Sequence, residues 1–204
     1  MSDFVMVLGT RNKKKRREME YLLKDYPVQL KTLDEFPNSI DVEETGTTFA
    51  ENACLKAVEQ ARLIKQWVLA EDSGLSVAAL DGAPGVYSAR FSGPDANDET
   101  NIDLLLEKLG DTPLEKRAGW YTSYMALADP EGNVRLECTD QCHGRILFER
   151  QGTGGFGYDP VFQIQEYGLT FGQLGDEVKS VLSHRARANR QFVPQLMSLI
   201  RQLD

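Results

Sequence analysis

Residues 48–74 read TFAENACLKAVEQARLIKQWVLAEDSG and contain a helix signal followed by a strand signal. Thr48 and Glu51 have the S/T-x-x-E spacing of a capping box, which predicts a helix that begins here and runs to about Lys65. The apolar run Trp67–Ala70 then predicts a short strand with the polar residues EDSG at its end. A stripe of small residues suits the helix to close packing: Ala50, Ala53, Cys54, Ala57 and Ala61.

The same kind of patterning extends in both directions along the chain. Upstream it predicts a strand at Phe4–Leu8, a helix at Lys13–Leu23 and a strand at Val28–Leu33. Downstream it predicts a helix at Asn101–Leu109, strands between Ala118 and Phe148, and a last helix, capped by Ser183, from about Arg185 to Leu203. This order favours an α/β fold with a long central mixed sheet flanked by helices.

Size and composition set the broad class. The chain has 204 residues, of which 41% are hydrophobic, and this fits one domain that spans residues 1–204. No apolar run approaches the ~20 residues that are needed to cross a bilayer. The segment Met1–Leu8 lacks the basic and apolar regions of a secretory signal, so we expect a cytoplasmic protein.

The cysteines are too few and too irregular for a disulfide framework. Cys54, Cys138 and Cys142 are an odd set, and we interpret them as reduced thiols that are buried or half-buried. The run C-x3-C-H that ends at His143 leaves a zinc site open as the less favoured alternative.

Charge is concentrated locally. The net charge of -8 makes the chain a poor non-specific binder of nucleic acid. Nevertheless, residues 13–17 read KKKRR, and acidic pairs occur at Glu43-Glu44 and Glu71-Asp72. Basic and acidic groups together are what a metal–phosphate substrate requires. Because the chain has only two histidines, the predicted metal ligands are carboxylate oxygens, the usual environment of magnesium.

Three further segments carry candidate binding residues. Residues 10–15, TRNKKK, lie where a strand meets a helix start, and free backbone N–H groups there favour phosphate. The glycine-rich loop 152–160 leaves room for a flat ring to stack on Phe156 or Tyr158. Lys179 and residues 183–188, SHRARA, place cations at another predicted helix start. Each segment also has a structural alternative. Residues 10–15 could be the solvated basic start of a helix capped by Asn12, the loop 152–160 could be a hairpin loop with core aromatics, and residues 183–188 could be a helix start with surface arginines.

These segments match a known family in order and over nearly the whole chain. They are T-x-N-x-x-K from Thr10, E-E-T-G-x-T-F-x-E-N-A from Glu43, E-D-S-G-L from Glu71, G-A-P-G-V-Y-S-A-R from Gly82, G-F-G-Y-D-P-V-F from Gly155 and S-H-R-x-R-A from Ser183. Taken together they resemble the inosine/xanthosine triphosphate pyrophosphatase (Ham1-like) family. The chain departs from the family pattern at three positions: Arg11, Gln173 and Ser180.

The resemblance implies a two-lobed α/β homodimer with the nucleotide in the cleft between the lobes. It implies magnesium-dependent hydrolysis of non-standard purine triphosphates (ITP, dITP, XTP) to the monophosphate and pyrophosphate. The expected metal ligands are Glu44 and Asp72, with Glu43 or Glu71 as extra ligands, and Asp72 is also the expected general base. The triphosphate is expected to bind Thr10, Arg11, Asn12, Lys13, Lys14 and Lys15. Ser73, a further expected substrate-binding residue, lies close to the general base Asp72.

The base is expected to bind a second set of residues: Phe156, Gly157, Tyr158, Asp159, His184 and Arg185, with added contacts from Lys179 and Arg90. Inosine and xanthosine carry a carbonyl at the purine 6-position, where adenosine carries an amino group. A donor such as Arg185 favours the carbonyl, because a badly paired buried group costs ~1–3 kcal/mol.

Two other functions stay open at this point. The departures Arg11, Gln173 and Ser180 motivate a nucleotide-binding or sensing protein that has lost turnover. The basic run Lys13–Arg17 motivates a nucleic-acid interaction protein, against which the net charge and the lack of a recognised motif count.

Overall fold

The computed structural model describes residues 4–203, in which strands and helices alternate up to the fourth strand; three more strands and two helices then follow. In chain order they are β1 (Phe4–Leu8), α1 (Lys13–Leu23), β2 (Val28–Thr32), α2 (Phe49–Ile64), β3 (Val68–Val77), α3 (Asp98–Leu109), β4 (Ala118–Ala128), β5 (Val134–Ile146), β6 (Phe162–Ile164), β7 (Leu169–Thr170), α4 (Phe171–Leu182) and α5 (His184–Leu203). Short 3-10 turns lie at Leu33–Glu35, Ala78–Leu80, Gly85–Arg90 and Leu114–Lys116.

The strands of the described residues form one mixed sheet in the order β2-β1-β3-β4-β5-β6-β7. β1 pairs in parallel with β2 and with β3, whereas β6 pairs antiparallel with β5 and with β7. This confirms the predicted fold class, a mixed sheet flanked by helices. Between residues 4 and 203, no helix combines the length and the hydropathy that a membrane span needs.

The prediction for β3 was wrong at its carboxyl end. The strand does not stop at Ala70 but continues to Val77, so residues 71–74 lie inside it. Leu75 and Val77 are both fully buried and, two residues apart, lie on the same face of the strand. The acidic residues Glu71 and Asp72 are therefore fixed by the backbone of a strand rather than by a loop.

Other differences concern helix boundaries and elements that the sequence analysis did not predict. α3 begins at Asp98, because the side chain of Asn97 accepts a hydrogen bond from the Thr100 amide at 3.0 Å and caps the helix. Strands β6 and β7 and helix α4 were not predicted. Lys179 lies in the last turn of α4, not at a helix start.

The chain divides into two compact units. Unit 1 comprises the residues up to Asp72, Ser123–Asp140 and the residues from Arg187 onward; unit 2 comprises Ser73–Thr122 and Gln141–Ala186.

In unit 1, alternate residues of β1, β3 and β4 lie on opposite faces of the sheet and pack into two apolar layers. One layer contains Met6 and Leu8 with residues of α1 and α5, among them Met19 and Phe192. The other contains Val7 with three alanines of α2, namely Ala53, Ala57 and Ala61. These three alanines of the predicted stripe are fully buried, so the backbone of α2 lies close to the sheet. The sheet of unit 1 is thus covered on both faces, as the predicted architecture requires.

In unit 2, one apolar cluster joins β3, α3, β4 and the segment that follows β5. Buried Arg117, just before β4, closes one end of this unit. Its guanidinium donates to the backbone carbonyls of Thr112 (2.9 Å), Leu147 (3.0 Å) and Gly110 (2.5 Å), and it lies 4.0 Å from the ring centroid of Phe148. This one side chain thus satisfies three backbone carbonyl groups.

The capping box predicted at the start of α2 is present. Thr48 Oγ1 accepts from the Glu51 amide at 3.1 Å, and Glu51 Oε2 accepts from the Thr48 amide at 3.1 Å and from the Thr47 amide at 2.7 Å. The hydrogen bonds from Thr47 and Thr48 lower the pKa of Glu51. At the other end, Lys65 adopts the left-handed conformation and ends the helix. Both ends of α2 are therefore fixed by local interactions.

We expect Thr48→Ala to lower the free energy of unfolding by about 1 kcal/mol, because the Glu51 amide loses its acceptor. Urea unfolding at an unchanged m-value measures this loss. Glu59→Ala, at an exposed position of the same helix, is the control and should stay within about 0.5 kcal/mol of the parent. Equal stability of the parent and Thr48→Ala would contradict the capping role.

Candidate functional site

The loop between β1 and α1 is organised by its own side chains. Thr10 Oγ1 accepts from the Asn12 amide at 3.2 Å, and Asn12 Oδ1 accepts from the amides of Lys14 (3.0 Å) and Lys15 (3.2 Å). Asn12 is thus the N-cap of α1, which was one of the two roles that the sequence left open. Lys13 and Lys14 are exposed on the first turn of the helix. The loop presents positive charge at the positive end of a helix dipole.

Arg11, which departs from the family pattern, is directed toward an acidic loop. Its Nε lies 2.7 Å from Asp41 Oδ1, and its Nη1 lies 3.5 Å from Asp34 Oδ1. A second guanidinium nitrogen donates to Ser39 Oγ at 2.9 Å. Arg11 therefore links its own loop to the loop that follows β2. Since these carboxylates are mostly exposed, each ion pair contributes little to stability.

Lys15 differs from the other cations of this loop, because its side chain is only 18% exposed and reaches the sheet. Its Nζ lies 3.4 Å from Glu71 Oε2. The other carboxylate oxygen of Glu71 accepts from Ser123 Oγ at 2.9 Å. Glu71 is buried, and a buried carboxylate needs an opposite charge and hydrogen-bond donors. Lys15 supplies the charge and Ser123 donates a hydrogen bond.

The two expected metal carboxylates meet at one cation, Lys56 of α2. Lys56 Nζ lies 2.7 Å from Glu44 Oε1 and 3.0 Å from Asp72 Oδ1. Glu43, the neighbour of Glu44, is exposed. We call Lys15, Glu44, Lys56, Glu71 and Asp72 the carboxylate cluster. The structure thus brings together Lys15, Glu44 and Asp72, as predicted, and adds Lys56.

Burial and neighbouring charges shift the pKa values in this cluster. Burial raises the pKa of Asp72; the ammonium groups of Lys56 and Lys15 oppose the rise, and the charge of Glu44 adds to it. For Lys56, burial alone would lower the pKa, but the Asp72 and Glu44 charges outweigh it and the pKa is raised. A carboxylate with a raised pKa is a better proton acceptor than an ordinary aspartate, which suits a general base.

The donor set also fits a hard divalent cation. Oxygens of Glu44 and Asp72 already converge on a single positive charge, at distances typical of charge-assisted hydrogen bonds. Within residues 4–203, no group of three or more histidine, cysteine or acidic side chains is arranged to hold a metal ion. Two carboxylates that leave the other positions to water and phosphate oxygens are the arrangement that Mg2+ prefers.

Asn52 and Lys56, which contact Asp72 from α2, were not among the predicted site residues. Asn52, Lys56 and Gln60 repeat at intervals of four, so they lie along one side of the helix. Asn52 and Gln60 are buried. In the sequence, the signal for these residues is a row of polar residues at helical spacing directly beside the alanine stripe.

Unit 2 holds a second group of predicted residues around the ring of Phe156. Lys179 Nζ lies 4.0 Å from the ring centroid and 2.6 Å from Asp159 Oδ2. The guanidinium of Arg185 lies 5.7 Å from the same centroid. Both distances suit cation–π contacts. We call Phe156, Asp159, Lys179, His184 and Arg185 the aromatic–cation cluster.

His184 and Arg185, at the start of α5, are buried and held by specific partners. The His184 imidazole is stacked on the Tyr121 ring, with centroids 4.8 Å apart and an interplanar angle of 11°. Arg185 Nη2 donates to Ser73 Oγ at 2.9 Å. The hydroxyl of Ser183 accepts from the Ala186 amide at 3.2 Å, which confirms the predicted cap. The rings and charges of this cluster are therefore preorganised.

The glycine-rich loop gives its aromatic residues different environments. Tyr158 is buried in the core of unit 2, and its hydroxyl donates to the Ser88 carbonyl at 2.8 Å. Phe156 is half-buried, and its ring is the better candidate for stacking with a flat ligand. Asp159 accepts from the Phe156 amide at 2.8 Å. Gly155 has a positive φ of 73°, and a Cβ there would lie 2.1 Å from Asp159 Oδ2, so glycine is required. Gly157 follows, with φ of 60°.

The other departures and Arg90 have local contacts. Gln173 Oε1 accepts from the Thr170 amide at 3.0 Å, in the capping box of α4. Ser180 Oγ donates to the Glu177 carbonyl at 2.7 Å within the same helix. Arg90 is exposed, and its guanidinium lies 5.3 Å from the ring centroid of Tyr87.

Comparison with known proteins gives consistent matches over nearly the full chain. The sequence profile of the Ham1 family matches residues 6–195. A dITP/XTP pyrophosphatase of Rhodopirellula baltica is 52% identical over 197 residues, which cover 97% of this chain and 95% of the relative. A dITP/XTP pyrophosphatase of Bacillus cereus is 43% identical over 188 residues, 92% of each chain. The solved structure of a HAM1 protein from Coxiella burnetii matches with a TM-score of 0.87 at 36% identity, covering 96% of this chain and 99% of that one.

The buried pair Lys179–Asp159 allows a double-mutant cycle. We expect Lys179→Met and Asp159→Asn each to lower the free energy of unfolding by about 3–5 kcal/mol, because each leaves one charge buried without its partner. The double variant should lose less than the sum of the two single losses, by at least about 1 kcal/mol. Urea unfolding of the four proteins measures the coupling, and additive losses would contradict the proposed pairing energy.

Proposed function

The chain belongs to the Ham1 family, and on that premise we propose that it hydrolyses non-standard purine nucleoside triphosphates (dITP, ITP and XTP) to the nucleoside monophosphate and pyrophosphate. The observation that carries the proposal is the carboxylate cluster. In it, two carboxylates from distant parts of the chain meet at Lys56, and Lys15 lies beside Glu71. The names of the relatives, dITP/XTP pyrophosphatases, support the same reaction and substrate class.

We assign the triphosphate to the carboxylate cluster and to the loop from Thr10 to Lys15. Hydrolysis between the α- and β-phosphates needs charge neutralisation and an aligned water more than covalent chemistry. The ammonium groups of Lys15 and Lys56 supply two positive charges on a mostly buried surface, where they interact more strongly than in water. Lys13 and Lys14 add exposed positive charge, which would attract the polyanion as it approaches.

Asp72 is assigned as the general base. Its raised pKa lets it take a proton from water more readily than an ordinary aspartate does. Its Oδ2 accepts a hydrogen bond from Asn52 at 3.3 Å, so the orientation of the carboxylate is set before substrate arrives. The attacking water would then be held at a fixed side of the strand β3.

Mg2+ is the proposed cofactor, with Glu44 and Asp72 as the residues that would hold it. When bound, such an ion neutralises charge on the phosphate oxygens and orients them. Glu71 lies in the same cluster as a third carboxylate, and its contacts with Lys15 and Ser123 assign it to the positioning of Lys15.

The base is assigned to the aromatic–cation cluster. The ring of Phe156 would stack on the purine, and Arg185 would donate to the carbonyl at its 6-position. Ser73, whose Oγ accepts from Arg185, directly follows Asp72 in the sequence. Asp159, which is paired with Lys179, would fix the glycine-rich loop against α4.

The sensing alternative is not favoured. Two of the departures that motivated it, Gln173 and Ser180, make local helix contacts within unit 2. Arg11 contacts Asp34, Asp41 and Ser39, and it leaves Glu44 and Asp72 with their cation. The homodimer and the cytoplasmic location stay predictions of the family resemblance and of the sequence.

Turnover of a panel of nucleotides tests the proposal. Purified protein with Mg2+ is given dITP, ITP, XTP, GTP or ATP, and pyrophosphate and phosphate are measured separately. We expect pyrophosphate as the product, with dITP, ITP and XTP preferred over ATP. Release of phosphate alone, or nucleotide binding with no product, would refute the proposed reaction. If the protein instead binds DNA or RNA, more weakly as salt is added and unaffected by nucleotides, the result would support the nucleic-acid interaction protein.

We expect Asp72→Asn to abolish turnover of dITP, because the base is lost and a metal ligand is weakened. Nucleotide binding, measured by calorimetry, should largely survive, since Lys15 and the aromatic–cation cluster are unchanged. Asp111→Asn, at an exposed position of unit 2, is the charge-matched control and should keep normal rates. A near-normal rate in Asp72→Asn would remove this residue from its role.

Arg185→Ala should narrow the preference for ITP over ATP by about 10-fold or more, because the donor that favours a 6-carbonyl is lost. The ratio of kcat/KM values for the two substrates measures the effect. Arg190→Ala, on the exposed side of the same helix, should leave the ratio unchanged. If the ratio of the Arg185 variant equals that of the parent, another residue selects the base.

A further inference from the structure

A buried amide joins two separate parts of the carboxylate cluster. Asn52 lies in the first turn of α2 and is 0% exposed. Its Nδ2 donates to Asp72 Oδ2 at 3.3 Å, and its Oδ1 accepts from the Gly46 amide at 2.8 Å. Asp72 belongs to β3, whereas Gly46 follows Glu44 by two residues in the loop before α2. One planar side chain therefore connects the strand of one carboxylate with the loop of the other.

The chemistry of the contact explains why an amide stands here. Asparagine and glutamine combine a neutral donor and a neutral acceptor in one plane, so they can satisfy a carboxylate and a backbone N–H together. The hydrogen bond to Oδ2 fixes the rotation of the Asp72 carboxylate. The other oxygen, Oδ1, then faces Lys56 Nζ at 3.0 Å.

Gly46 is needed for the same contact. A Cβ at this position would lie 2.6 Å from Asn52 Oδ1 and 2.7 Å from the Cβ of Glu51. Such distances cannot be accommodated unless the loop or the helix moves. The loop that carries Glu44 thus approaches the helix as closely as it does because residue 46 has no side chain.

We propose that Asn52 is a positioning residue for the hydrolysis: it sets the orientation of Asp72 and, through Gly46, the distance from Asp72 to the Glu44 loop. This inference rests on the proposed function. It assigns to Asn52 no contact with substrate. Residues that orient a catalytic carboxylate typically change activity by about 10–100-fold when they are removed.

The same helix offers a matched control. Gln60 lies two turns further along α2 and is 2% exposed. Its amide accepts from the Ile40 N–H at 3.4 Å and donates to the Ile40 carbonyl, so it also ties α2 to the loop before it. Gln60 has no hydrogen bond with Asp72 among the contacts of the described residues. It therefore isolates the loss of a buried amide from the loss of the Asp72 contact.

The experiment compares Asn52→Leu, Gly46→Ala and Gln60→Leu with the parent protein. Steady-state kinetics with dITP and Mg2+ give kcat and KM, calorimetry gives the affinity for dITP without metal, and thermal unfolding gives stability. Asn52→Leu keeps the size of the side chain and removes both hydrogen bonds. Gly46→Ala disturbs the same contact from the loop and leaves the sequence of α2 intact, so it tests the inference even if Asn52→Leu does not fold.

We expect Asn52→Leu and Gly46→Ala to lower kcat by at least about 10-fold. KM and the metal-free affinity for dITP should change by less than about 3-fold, since the binding cations are unchanged. Gln60→Leu should lose stability but keep kcat within about 3-fold of the parent.

A kcat near that of the parent in Gly46→Ala or in folded Asn52→Leu would overturn the inference. An equal fall of kcat in Gln60→Leu would also overturn it, because the effect would then follow any buried amide of α2. An inactive parent protein would instead refute the proposed function, so the two failures are distinguishable.

Discussion

At the centre of the site, Lys56 contacts two carboxylates, Glu44 and Asp72, at the same time. Two carboxylates held close together in a mostly buried place repel each other, and each has lost much of its hydration. A cation between them makes the arrangement stable, and Lys56 supplies it from α2. The capped start of α2, its alanine stripe and the buried amide of Asn52 all serve to hold that ammonium in place. The fold of unit 1 can be described as the scaffold of this one charge arrangement.

Much of this scaffold could be predicted because its signals are local. The capping box at Thr48 and Glu51 fixed the start of α2, and the predicted bounds of α1 coincide with those observed. The elements that were missed or wrong depend on contacts between distant residues. β3 extends past its polar residues because Leu75 and Val77 are buried in unit 2, and nothing within residues 71–74 indicates this burial. Likewise, β6 and β7 have only three and two residues, which are too few to show the alternation of apolar and polar residues that indicates a strand.

In the candidate site, likewise, the grouping of residues could be predicted in part, whereas the role of single residues could not. Part of the charged set that the family resemblance implied gathers in two clusters, one in each unit. Neither cluster includes Arg11, Lys13, Lys14, Glu43 or Arg90. Single residues, however, could not be assigned to one role from their type. Asn12 caps a helix, Tyr158 fills a core and Asp159 is paired with Lys179, although each is a plausible ligand on chemistry alone. Lys56 was overlooked because its partners are 12 and 16 residues away, in a loop and in a strand.

The alanine stripe of α2 also bears on how this protein tolerates sequence change. Ala53, Ala57 and Ala61 are fully buried between the helix and the sheet, so larger side chains at these positions would push the helix away from the sheet. The neighbouring side of that helix carries Asn52, Lys56 and Gln60, and all three would shift with the helix. Larger apolar residues at the three alanine positions would therefore displace the side chains of the carboxylate cluster. The catalytic rate would then fall although the alanines themselves lie in the apolar core.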